Sequence, residues 1–63
     1  MLELMIESWV NPGVPPACRW SLWADGKRVA MGGPHRTASE SEAEALQYCA
    51  RALKRKPDRI TRL

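Results

Sequence analysis

The chain has 63 residues, a formal net charge of +3 and no Phe, so it makes one small domain, residues 1–63. Its interior must come from three Trp, one Tyr and a modest set of Leu, Ile, Val and Met. No apolar run approaches the roughly 18 residues a membrane span needs, and Met1–Val10 carries Glu3 and Glu7 but no base, unlike a secretory signal; a cytoplasmic setting is expected.

From Leu2 to Val10 the even positions are Leu2, Leu4, Ile6, Ser8 and Val10 and the odd positions Glu3, Met5, Glu7 and Trp9, the alternation of a half-buried strand with its even face inward. Asn11–Ala17 holds three prolines and a glycine and reads as a loop, with Pro16 a candidate for a cis bond. Asp25-Gly26 then lies between two alternating runs, the signature of a two-residue type I′ hairpin. That turn predicts Ala24 opposite Lys27, Leu22 opposite Val29 and Trp20 opposite Met31. Trp20, Leu22, Val29 and Met31 then form the core face, and Arg19, Ser21, Trp23, Arg28 and Ala30 the other. Gly32, Gly33 and Pro34 end this third strand.

Thr37–Glu44 offers two overlapping capping boxes, Thr37 with Glu40 and Ser39 with Glu42, and so starts a helix. Its expected apolar stripe is Leu46, Cys49, Ala50 and Leu53, with Ala43 at the margin and Ala45, Tyr48 and Ala52 off it. Arg51, Lys54, Arg55 and Lys56 load the last turn, and Pro57 stops it. Ile60–Leu63 is long enough for a short edge strand beside the first. The expected fold class is α+β: a three-stranded antiparallel sheet with one helix across one face, in the order β-β-β-α, extended by that short C-terminal strand.

The sequence offers little for catalysis. His35 stands alone in what reads as a solvated turn, no Ser-His-Asp set or glycine-rich phosphate loop is present, and Glu40, Glu42 and Glu44 point to different sides of a helix as caps and dipole partners. Cys18 and Cys49 lack any metal-ligand spacing, and no cofactor motif stands out. Both cysteines fall on core-facing positions and could be neighbours, as two reduced thiols or as a disulfide.

Binding finds more. Trp23 is expected to face Arg28 directly across the hairpin, where the guanidinium can stack on the indole, with Arg19 on the same open face. The last thirteen residues hold six Lys or Arg against one Asp, whereas the first seventeen hold only acids. Arg59 and Arg62 lie past the helix, beyond the reach of its dipole, and extend a phosphate-facing stripe. Trp20, the turn Asp25-Gly26-Lys27-Arg28, Gly33, and Thr37 followed by Glu42-Ala43-Glu44-Ala45 together resemble the arm-type DNA-binding domains of phage and transposon tyrosine integrases. The resemblance spans under half the chain.

It implies a sheet laid into the DNA major groove through Arg19, Trp23 and Arg28. Ser39, Glu40, Ser41 and Glu42 stand where that family usually has lysines. The leading expectation is a non-enzymatic binding module of phage or mobile-element type, touching nucleic acid through Arg19, Trp23 and Arg28 on the sheet and Lys54, Arg55, Lys56 and Arg59 at the basic end. The alternative is a small protein-binding inhibitor or a homodimer, anchored by Met5, Trp9 and Trp23. Its size and layout are similar to those of small anti-CRISPR proteins of phages. In that reading Glu3, Glu7, Glu40, Glu42 and Glu44 meet a basic site on a host protein.

Overall fold

The computed structural model describes all residues, 1–63. Strands β1 (Leu2–Trp9), β2 (Ala17–Ala24) and β3 (Lys27–His35) are followed by helix α1 (Ala38–Tyr48), a π-helical segment over Cys49–Leu53, and strand β4 (Arg59–Arg62). The strands lie in the order β3-β2-β1-β4. The β1–β2 and β2–β3 pairs are antiparallel, but β4 runs parallel to β1, so the sheet is mixed. The chain reaches that parallel place because α1 carries it back along the sheet before β4 begins.

The alternation in β1 holds: Leu2, Leu4 and Ile6 are buried under the helix, joined by Trp20 and Leu22 from β2 and by Ala45 and Cys49 from the helical segments. Ser8 and Val10 are exposed. The turn also holds, with Asp25 and Gly26 both at positive φ, as type I′ requires.

Beyond the first two pairs the expected β2–β3 register fails. Ala24 faces Lys27 and Trp23 faces Arg28, but Leu22 then faces Ala30, Ser21 faces Met31 and Trp20 faces Gly32. A bulge at Val29 flips the faces, so Val29 and Met31 are exposed while Ala30 packs against the core. Room explains the choice. A Cβ on Gly32 would lie 2.6 Å from Trp20 Cε2 and Cζ2, so the indole of Trp20 occupies the space a side chain there would need. A second irregularity carries β3 through Gly33 and Pro34 to His35, which pairs with Cys18, and the cis bond is Gly33–Pro34 rather than one before Pro16.

Thr37 caps α1, its hydroxyl accepting the Glu40 N–H at 3.2 Å; the Ser39–Glu42 box does not form. The helix buries Ser41, Ala45 and Cys49, with Ala38, Leu46 and Tyr48 at the flanks, while Ala50 and Leu53 face out. Small side chains at four-residue spacing let the helix lie close to the sheet, and Ser41 Oγ donates to the Cys18 carbonyl at 2.7 Å to fix that approach. Tyr48 packs on Trp20 with ring centroids 5.7 Å apart.

Lys54, in the left-handed conformation, ends the helical run, so of the expected terminal cations only Arg51 lies in its last turn. Both cysteines are buried free thiols. Cys49 lies two helical turns beyond Ser41, roughly 12 Å along the axis from the point that meets Cys18, so the two are not neighbours. No helix is long and apolar enough to cross a membrane.

Candidate functional site

The side chains of the sheet face turned away from α1 follow from the register. Arg28 pairs with Trp23, Trp23 with Glu3, and Glu3 with Arg59, a row across all four strands with an arginine at each edge, about 14 Å apart. One step toward the other end of the sheet, Met31, Ser21, Met5 and Thr61 form the next row, and then Arg19 pairs with Glu7.

Trp23 belongs to this outer face. It is absent from the core and half-buried, with its indole N–H donating to Ser21 Oγ at 2.9 Å, so the ring lies back along its own strand. The expected stack of Arg28 on Trp23 is not formed: the two are cross-strand partners, but the chain's one aromatic contact is Trp20 with Tyr48. The hydroxyl of Ser21, two residues away on the same face, has captured the indole instead.

Ser21 is short beside Arg19, Trp23 and Met31, and a recess of about 530 Å³ opens there, walled by Trp9, Arg19, Trp23, Arg28 and Met31. Trp9 is 55% exposed at its rim. On the other side of Trp23 a smaller recess of about 370 Å³ holds Met5 and Glu3. Trp23 is thus the wall between the two, and Met5, Trp9 and Trp23 do not share a single surface depression.

The basic end is divided. Arg55 is bound to Asp58 at 2.7 Å and Arg62 to Glu42 at 3.0 Å. Lys54, Arg55 and Lys56 border a groove of about 680 Å³ on the helix side, over Leu46, Ala50 and Ile60, away from the recess at Ser21. Of the expected terminal contacts, only Arg59 joins the row of Trp23 and Arg28.

The acids are mostly committed. Asp25 pairs with the N-terminal ammonium, Glu3 accepts the Thr61 hydroxyl at 3.0 Å and Glu40 that of Thr37 at 3.1 Å. Asp58 accepts the Leu2 N–H at 2.8 Å as well as Arg55. The N-terminal ammonium lowers the Asp25 pKa, and the Leu2 N–H lowers that of Asp58. Glu44 accepts the Trp20 indole N–H at 2.6 Å, and its other oxygen lies 3.0 Å from His35 Nε2, a close contact without hydrogen-bond alignment. The indole bond is the main cause of a lowered Glu44 pKa, with His35 adding to it. His35 is therefore a partly buried strand residue against α1, not a solvated turn histidine.

Glu7 alone among the acids has no hydrogen-bond or ionic partner. Arg19, Arg28, Arg59, Lys54 and Lys56 are likewise free of ion pairs, as are Lys27, Arg36 and Arg51, which the sequence reading did not place in a site. The sequence signal for those three was their charge alone. Comparison with known protein families, curated proteins and solved structures yields no match.

Proposed function

We propose that the chain is a non-enzymatic module that binds nucleic acid through its open sheet face, with Arg19, Trp23 and Arg28 at the centre and Arg59 at the far edge of the same face. One observation carries this reading: internal partners occupy all but one of the acids, while the cations of this face remain unpaired around two outward indoles. Free guanidinium groups bind phosphate, and their counterions are released on binding. Lys54 and Lys56 add attraction from the helix side, whereas Arg55 is committed to Asp58 and contributes least.

Titration of labelled DNA and RNA, single-stranded and duplex, at low and moderate salt tests the proposal. Affinity should fall steeply with ionic strength, and a combined Arg19→Ala and Arg28→Ala variant should flatten that slope by roughly one to two phosphate contacts. Absence of binding at low salt would refute it.

A second reading draws on the bulge at Val29, which adds Met31 to an outer face that already presents Trp9. An apolar anchor of Met5, Trp9, Trp23 and Met31 suits a protein partner or a second copy of the chain. Capture that survives high salt and fails in Trp23→Ala would favour this reading. A strict monomer in light scattering removes the second copy.

A further inference from the structure

We infer that the recess over Ser21 takes unpaired nucleotides, so that the face described above reads single strands in preference to duplex; this rests on the nucleic-acid reading. The shape of the face is the first reason. Ser21 forms a low floor between Arg19 and Trp23 on its own strand and Met31 on the next, leaving a depression of about 530 Å³, within the size range of small-ligand sites. A paired base shows a groove-bound protein only its edge, whereas an unpaired base can enter a depression and lay its flat face on an indole.

The spacing of the indoles is the second reason. Trp9 pairs with Ala17, six residues along β2 from Trp23, so the two backbone positions are about 20 Å apart along the strand while both side chains wall one recess. That arrangement is a track for several successive bases.

Charge supplies the third reason. Glu7, the acid without a partner, lines the recess beside Arg19, its cross-strand neighbour. A free carboxylate repels phosphate, so what Glu7 meets in the recess is a base edge and not the backbone. Against an exposed base it can accept from an exocyclic amino group, as carboxylates do with cytosine, and Asn11 at the rim offers an amide for the same purpose. Arg19 and Arg28 stand at the walls to hold the backbone, so one recess combines stacking, edge recognition and phosphate attraction.

The test compares oligothymidylate, oligodeoxyuridylate, oligouridylate, oligocytidylate and a mixed-sequence duplex at equal phosphate concentration and low salt, read by quenching of Trp fluorescence and by anisotropy of the labelled strand. Single strands should bind more tightly than duplex and quench the exposed indoles. Trp9→Ala, at a position 55% exposed, should weaken single-strand binding about 5- to 150-fold and duplex binding by less, with circular dichroism checking that the variant keeps its fold. Glu7→Gln should change the preference between oligocytidylate and oligothymidylate. The ratio of oligodeoxyuridylate to oligouridylate affinity, two strands that differ only in the 2′-hydroxyl, separates DNA from RNA as the source of the strand. Duplex binding equal to or tighter than single-strand binding would overturn the inference and leave the broader reading standing; failure of every polynucleotide would overturn both.

Discussion

The indole N–H of Trp20 donates to Glu44 Oε1 at 2.6 Å and so joins the centre of the sheet to the middle of α1 through one charged hydrogen bond. His35, from the end of β3, closes on the other carboxylate oxygen at 3.0 Å. Three elements, β2, β3 and α1, meet at this carboxylate.

Glu44→Gln keeps an acceptor for the indole but removes the charge. The Glu44 pKa is lowered in the fold, chiefly by the indole bond, so its contribution to stability is present above the usual glutamate range and is lost as pH falls through the folded value. Urea denaturation should show the variant less stable near neutral pH by about 0.5–1 kcal/mol, a small figure because the side chain is half exposed. The difference should shrink as pH falls below the usual glutamate range and through the lowered folded value. A gap of constant size across that range would remove the electrostatic explanation.

Gly32→Ala places a methyl 2.6 Å from the Trp20 ring and 2.7 Å from Glu44 Oε1. Backbone freedom is not the reason for glycine here; the space is already filled. The substitution should cost about 1–3 kcal/mol and shift the emission of the buried indole, measured by denaturation followed by fluorescence. An unchanged midpoint would mean that Trp20 does not lie over Gly32.

Leu4 is fully buried, whereas Leu53 is 36% exposed at the end of the helical run. Leu4→Ala should lose about 2–5 kcal/mol, enough to unfold much of a domain this small, because total stability scales at roughly 0.05–0.15 kcal/mol per residue. Leu53→Ala should change stability by less than about 1 kcal/mol. Equal losses in thermal melts would restore the helix stripe expected from hydrophobic periodicity.

Lys54 holds φ 54°, ψ 38°, a left-handed conformation that glycine adopts more cheaply. Lys54→Gly should raise stability by about 0.5–1 kcal/mol while lowering nucleic-acid affinity slightly. A drop in thermal midpoint would show that the lysine side chain stabilises the turn more than its backbone strains it.

Much of the fold is legible in the residues. Alternation in Leu2–Ile6, the Asp25-Gly26 turn and the Thr37–Glu40 cap each rest on contacts a few residues apart, where local chemistry decides. The bulge at Val29 is not legible in that way. Ranking by hydrophobicity favours burying Val29 and Met31, but Trp20 and Leu22 face small partners, Gly32 and Ala30, and volume overrides hydrophobicity.

The same rule governs α1. Apolar spacing picks Leu46, Cys49, Ala50 and Leu53, of which Cys49 is buried, while close approach to the sheet selects the small Ser41 and Ala45 beside it. On the outer face, Arg19, Trp23 and Arg28 follow from alternation up to the bulge. The division of the basic end is hidden, because the Arg62–Glu42 pair spans 20 residues and forms only once β4 lies beside β1.

The parallel pairing of β4 with β1 means that the strand supplying Leu2, Leu4 and Ile6 is shielded on one flank by only four residues, whose side chains are largely exposed. Amide hydrogens of β4 should exchange first and those of β2, enclosed on both sides, last. Each time the tail peels off, β1 presents bare backbone donors and acceptors to its surroundings, so shortening the chain at its C-terminal end would leave a protein prone to sticking to itself.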